Sequence, residues 1–313
     1  MLHTILPEPM TGMKTRCGEN ASHLRLAWVA PYRQTQFGDP LYFTGRLSYD
    51  VYIFVSAKNR QRGAMFPIRD VNPTIRKPVA TVTLIALNVA AWVLAQGAGS
   101  AIPLAKSLCL YGLIPGELLG PAPIGTVIPL NENLVCALEE GSVVTLLTHM
   151  FLHGGWFHLI TNMWFLWIFG DNIEDAMGPA RFIAFYLLSG LAAATTQIIT
   201  DPGALIPMVG ASGAIGGVLG AYARLYPHAR IVTVIFLGFY VTTITLPAIA
   251  MLGYWFFIQL AGAMPGLQGA GGVAFWAHIG GFLAGLVLIG PMHRRDYYAE
   301  HLSQIPKPMP QDQ

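Results

Sequence analysis

A serine, two histidines and an asparagine are the residues whose types could carry out a reaction together: Ser212, His158, His278 and Asn162. A serine hydroxyl becomes a nucleophile only when a neighbouring base takes its proton, and His278 has the chemistry of that base. The tetrahedral oxyanion formed by such an attack needs hydrogen-bond donors aimed at it. The Ser212 amide, the Asn162 side chain and the His158 ring are donors of that kind. Gly210 and Gly213 flank the serine and allow a tight backbone there. Gly281 and Gly285 follow His278, and small residues at this spacing let helix backbones approach closely. His149 and His153 precede His158, completing the run H-x3-H-x4-H-x3-N.

The elements that must position these groups are transmembrane helices. The chain has 313 residues, 54% of them hydrophobic and only 11% charged. A soluble domain carries roughly 25% charged residues, so a single soluble globule and intrinsic disorder are both disfavoured. A net charge of +2 gives no sign of a nucleic-acid partner. Of the 18 Lys and Arg residues, 11 lie in residues 1–78, and residues 79–293 hold only Lys106, Arg181, Arg224 and Arg230. A bilayer core of about 30 Å takes roughly 20 apolar helical residues. Six stretches fit: Val79–Gln96, Gly155–Gly170, Phe182–Thr200, Met208–Tyr222, Leu246–Ala263 and Val273–Gly290. The intervening 231–245 reads as an interfacial or loop segment, divided from the fifth span by Pro247. Six spans put Arg76, Lys77, Arg181, Arg224, Arg230, Arg294 and Arg295 on one side, with only Lys106 opposite. By the positive-inside rule both ends are then cytoplasmic. Spans two, four and six run inward from the outer face, which puts His158, Asn162, Ser212 and His278 about 5–10 Å below it at 1.5 Å per residue.

At these residues the sequence resembles the rhomboid family of intramembrane serine proteases. The run His149 to Asn162, the segment Gly210-Ala-Ser212-Gly213 and the segment Ala277-His278-x2-Gly281-x3-Gly285 are similar to the family's motifs, and the likeness covers about residues 66–292. The resemblance implies an all-α, six-transmembrane-helix bundle with a long external loop between spans one and two. It implies cleavage of single-span membrane proteins in or beside their helix, by Ser212 as nucleophile and His278 as base. It places His158, Asn162 and the Ser212 amide around the oxyanion, with His149 and His153 as supporting residues and no cofactor. The compact layout points to a plasma (inner) membrane, with the site opening to the external or periplasmic side. The chain departs from the family pattern twice. Val143-Val144-Thr145 stands where many members have Trp-Arg, and Gly216 stands where some have a tyrosine packed on the histidine. The His278 ring then needs another support, Trp276 or a neighbour. No acidic residue shares the depth of the site, so a Ser–His dyad without a carboxylate is expected.

Each residue also has a plainer reading. Ser212 could be helix-packing glue, His278 a packing or proton-relay residue, and Asn162 an interhelical hydrogen bond. Their common depth is what argues for chemistry. His149 and His153 at i, i+4 could ligate a metal, but no H-E-x-x-H occurs and no metal is expected. Asp171, Glu174 and Asp175 read as loop polarity or helix caps after span two. Cys109 and Cys136 both fall in the external loop, as a disulfide or as two free thiols. Gln259 reads first as an interhelical bond and second as a substrate contact. The competing functions are a non-catalytic binder of client transmembrane helices and a small transporter; the latter lacks the internal repeat such proteins often show. Residues 1–64 do not fit the family and are expected to be an extension outside the natural product, which would start at Met65. Residues 65–78 are a cytoplasmic lead-in, 79–293 the catalytic domain and 294–313 a cytoplasmic tail. Span five and the glycine-containing loop 262–275 are the candidate substrate gate.

Overall fold

A computed structural model describes residues 26–27, 64–120, 122–130, 134–237, 240–264 and 273–304. The expectation for residues 1–64 lies almost wholly outside them, as does most of the candidate gate loop. In chain order the elements are β1 (Leu26–Ala27), β2 (Ala64–Asp70), α1 (Val79–Ala90, continued by a π-helical turn over Ala91–Ala95), α2 (Ala101–Tyr111), α3 (Pro115–Leu118), β3 (Val127–Pro129), β4 (Val135–Ala137), α4 (Thr145–Thr148), α5 (Trp156–Met177), α6 (Pro179–Thr200), α7 (Ser212–Leu225), β5 (Arg230–Leu237), β6 (Tyr240–Pro247), α8 (Ala248–Ala263), α9 (Phe275–Met292) and α10 (Arg295–Gln304).

The helices α6 and α9 are long and apolar enough to cross a bilayer, while α1 with its π turn and α8 are shorter apolar helices. The outward residues of these helices, among them Val82, Leu87, Leu188, Phe257, Leu283 and Val287, are exposed and apolar. Such a surface is costly in water and suited to lipid. The core forms around α7, which packs against α5, α6, α8 and α9 and is buried from Gly213 to Ala223. Phe169, Phe182, Phe185, Tyr186, Leu219 and Tyr222 fill it. Alpha-7 fits at the centre because it is nearly side-chain-free on two faces. A Cβ at Gly281 would collide with the Gly213 carbonyl oxygen, and one at Gly285 with the Gly217 carbonyl oxygen. The face expected from Ser212, Gly216 and Gly220 is present too. A Cβ at Gly216 would lie 3.0 Å from the His278 carbonyl oxygen, and one at Gly220 would collide with that of Phe282.

Several expectations are corrected. The second helix does not end at Gly170 but runs to Met177, so Asp171, Glu174 and Asp175 are helical, not loop residues. Glu174 caps a different helix. Its buried carboxylate accepts the Ala80 and Thr81 amides at 2.8 and 2.7 Å and the Thr81 hydroxyl at 2.8 Å. These amides open α1 and have no partner inside it, and an anion is favoured at that end. Asp175 accepts the Arg76 amide at 3.0 Å and pairs with its guanidinium at 3.1 Å. The segment 231–245 is not a loop. Its residues form the β5–β6 hairpin, which pairs through β5 with β2 in an antiparallel sheet of order β2-β5-β6. A second small sheet of order β1-β4-β3 joins Leu26–Ala27 to the β3–β4 pair of the long loop, beside a bundle that is mostly helical as expected. The tail after Arg294 begins as a docked helix, α10, whose buried His301 bridges Asp175 and Asn72 at 3.0 Å each. Cys109 and Cys136 are joined as a disulfide between α2 and β4, with Cα atoms 5.7 Å apart.

Candidate active site

The fourth span was expected to start at Met208, with Ser212 one turn inside it. Instead residues 208–210 are non-helical, and Ser212 is the first residue of α7. Two contacts hold the approach in place. Met208 and Leu113 exchange backbone hydrogen bonds at 3.0 and 2.8 Å, and the Gly210 amide donates to the His149 carbonyl at 2.9 Å. Gly210 then turns the chain at φ 129°. A side chain at this position would be strained, and its Cβ would lie 2.8 Å from His158 Nε2. The result is that the Ser212 hydroxyl stands at the amino end of a helix whose first amides lack intrahelical acceptors.

His278 is the fourth residue of α9, brought beside Ser212 by the Gly213–Gly281 approach. Its Nε2 lies 2.8 Å from Ser212 Oγ. Its Nδ1 lies 2.7 Å from Oε1 of Gln259 on α8. The Trp255 ring sits 6.0 Å from the His278 ring. The support that the missing tyrosine would supply therefore comes from Gln259 and Trp255, not from Trp276. Gln259 makes an interhelical bond, the first of its two sequence readings.

On α5, the Gly154 amide donates to His158 Nδ1 at 3.3 Å. A neutral ring that accepts at Nδ1 carries its proton on Nε2, the nitrogen beside Gly210. Asn162 donates one Nδ2 hydrogen to the His158 carbonyl at 2.9 Å, and its amide lines the same cavity as Ser212 and His278. His149 enters the site through its backbone carbonyl, while its ring bonds the Thr145 carbonyl at 2.9 Å. His153 does not line the cavity. Its ring stands edge-on to His158, with centroids 5.2 Å apart, and burial holds its imidazole well below the usual histidine range. Its backbone is clamped by a residue that the motif reading missed. Gln96 Oε1 accepts the His153 amide and Gln96 Nε2 donates to the His153 carbonyl, both at 2.8 Å. Nothing but a polar residue at the end of an apolar run marked Gln96 in the sequence.

The cavity holds about 350 Å³. Asn162, Ser212, Gln259 and His278 make one end polar, and Phe165, Leu219 and Trp255 line the rest, which reaches Phe66 of β2. An apolar slot ending on a hydroxyl, an imidazole and the Asn162 amide has the makings of an acyl-transfer site.

Residues 140–295 match the family model described as the Rhomboid domain. RHOMBOID-like protein 5 of Arabidopsis thaliana is 34% identical over 173 residues, 55% of this chain and 50% of that protein. The mitochondrial Rhomboid protein 1 of Saccharomyces cerevisiae is 33% identical over 99 residues, 30% of this chain and 29% of that protein. Rhomboid protease GluP of Bacillus subtilis is 32% identical over 155 residues, 50% of this chain and 27% of that protein. The chain thus spans half or less of the length of these curated relatives.

Proposed function

The chain belongs to the rhomboid family, a membrane-embedded family, and from that premise we propose that it is a serine endopeptidase cutting membrane proteins in or beside a transmembrane helix. The observation that carries this reading is the 2.8 Å approach of His278 Nε2 to Ser212 Oγ at the amino end of α7, inside an apolar bundle. His278 takes the hydroxyl proton as Ser212 attacks the scissile carbonyl carbon. The carbonyl oxygen becomes the oxyanion, and the Ser212 amide, His158 Nε2–H and the second Asn162 Nδ2–H donate to it. Protonated His278 then gives its proton to the departing amine, and the C–N bond breaks. A water, deprotonated in turn by His278, releases the acyl group from Ser212. No cofactor enters the sequence.

The length of α7 supports a recessed site. Fourteen residues rise about 21 Å, against a bilayer core of about 30 Å. With Leu225 at the inner boundary, Ser212 lies about 9 Å below the outer one. A six-span topology, both termini cytoplasmic, and a site open to the external face of the plasma (inner) membrane agree with this depth and with the cation bias. The substrates in this reading are single-span proteins whose helix unwinds into the slot. The test is cleavage of a reconstituted single-span substrate by the wild type and by Ser212→Ala. Cleavage lost in the variant is the expected result. Equal cleavage by both would remove Ser212 from the reaction. No cleavage by a folded wild type across several substrates would favour a non-catalytic binder of client helices.

A further inference from the structure

The histidine at the centre of the site is useful only in one of its two neutral tautomers. To accept the Ser212 proton, Nε2 must hold a lone pair, so Nδ1 must hold the hydrogen. The groups around the ring are Ser212 from α7, Trp255 and Gln259 from α8, and His158 from α5. Of these, Gln259 bonds Nδ1.

An amide can present either an acceptor or a donor, and the wrong choice would be harmful. If Gln259 turned its NH2 toward Nδ1, that nitrogen would need the lone pair, and Nε2–H would face the serine hydroxyl. The surroundings decide against this. Gln259 is buried, and its Nε2 lies 3.2 Å from the Trp255 carbonyl oxygen one turn back on α8. That oxygen can only accept, so the amide nitrogen must face it and Oε1 is left for His278. Three bonds then share one polarity. Ser212 Oγ–H donates to His278 Nε2, His278 Nδ1–H donates to Gln259 Oε1, and Gln259 Nε2–H donates to the Trp255 carbonyl.

We propose that Gln259 is a positioning residue that locks His278 in the Nδ1–H tautomer, taking the orienting role of a triad carboxylate without its charge. The proposal rests on the reading of Ser212 and His278 as the reacting pair. The absence of charge is an advantage in this location. A carboxylate on a buried membrane helix carries a large desolvation penalty, and an amide dipole anchored on a backbone carbonyl does not. Because the anchor lies on α8, the tautomer is set by a helix that contributes neither the nucleophile nor the base.

The experiment uses the full chain in bicelles with 15N-labelled histidine. The His278 signals are assigned by the loss seen in His278→Gln, and kcat, KM and pH–rate profiles are measured alongside. The wild type should show the Nδ1–H pattern. Gln259→Leu should mix the tautomers and lower kcat about 10- to 100-fold, with KM changed less than about twofold. Gln259→Glu keeps the acceptor and the shape. It should keep the Nδ1–H pattern and most of kcat, because a protonated carboxyl donates to the Trp255 carbonyl and still accepts from Nδ1–H. Wild-type tautomer and kcat in the Leu variant would overturn the proposal. If the Leu variant does not fold, an Nε2–H pattern in the wild type or in the Glu variant would overturn it. Equal cleavage by Ser212→Ala would instead sink the endopeptidase reading, and the nitrogen shifts would still decide the role of Gln259.

Discussion

At Gly210 three requirements meet on one Cα. The backbone turns at φ 129°, His158 Nε2 stands 2.8 Å from where a Cβ would be, and Ser212 Oγ is 3.5 Å from the same point. Gly210→Ala is therefore expected to displace His158 rather than unfold the bundle. If His158 is an oxyanion donor, the loss in kcat is about 10²- to 10³-fold. A cleavage assay paired with a thermal melt checks it. Full activity in the alanine variant would separate His158 from the reaction. The residues proposed to react could be picked out in the sequence because their side chains declare their chemistry. Ser212, His278, His158 and Asn162 stand out because they share one depth in otherwise apolar spans. Gln259 and Gln96 were not legible in the same way. An amide is chemically quiet, and its importance comes from its partners, His278 Nδ1 in one case and the His153 backbone in the other.

Between elements, the α7–α9 approach decides whether Ser212 meets His278 at all. Gly285→Val would drive side-chain atoms into the Gly217 backbone, which neither helix can relieve without separating. A loss of at least about 2 kcal/mol is expected, read as a lower melting temperature with cleavage lost in parallel. Gly253 on α8 is the control, since a Cβ there meets no atom within 4 Å. Gly253→Ala should be neutral or stabilising by about 0.4–1 kcal/mol. The lead-in strand makes a second junction with α7, where Tyr222 Oη donates to Asp70 Oδ2 at 2.7 Å. Burial raises the Asp70 carboxyl to about 6 although this bond opposes the shift. A carboxyl raised on folding contributes stability in its protonated form. That contribution is complete below about pH 4 and is lost as pH rises through about 6. The wild-type melting temperature should thus fall across this window by a few degrees more than that of Asp70→Asn. Parallel curves would remove Asp70 as the cause. The helices were readable from apolar length, their ends less so. Glu174 and Asp175 look like the polar margin of a span, yet their partners are residues 75–81, about a hundred positions earlier. The β5–β6 hairpin was hidden for another reason. Its alternation of Val, Ile and Thr is weak against a background that is apolar throughout.

Across the described residues the two ends of the bundle differ in chemistry, and that difference bears on the proposed sidedness. At one end the long loop carries the Cys109–Cys136 disulfide and is tied to the serine by the Leu113–Met208 bridge. At the other end Arg76 pairs with Asp175 and Glu300, and Arg76 and Arg294 both lie over the Tyr297 ring, at 3.6 and 3.7 Å from its centre. Disulfides persist in oxidising compartments, while arginines collect on the cytoplasmic side of a membrane. Two independent rules, one redox and one electrostatic, are thus consistent with the orientation proposed above, in which the site faces the oxidising side. The orientation can be read with a cysteine on each end in a Cys17→Ser background that keeps the disulfide. Val144 lies in the loop at 56% exposure and Leu302 on α10 at 45%. A membrane-impermeant maleimide applied to intact cells should label Val144→Cys at once, and Leu302→Cys only after permeabilisation. The reverse pattern would put the disulfide in a reducing compartment and turn the site inward. Substrates would then have to be sought among proteins whose cleavable segment lies at the cytoplasmic face.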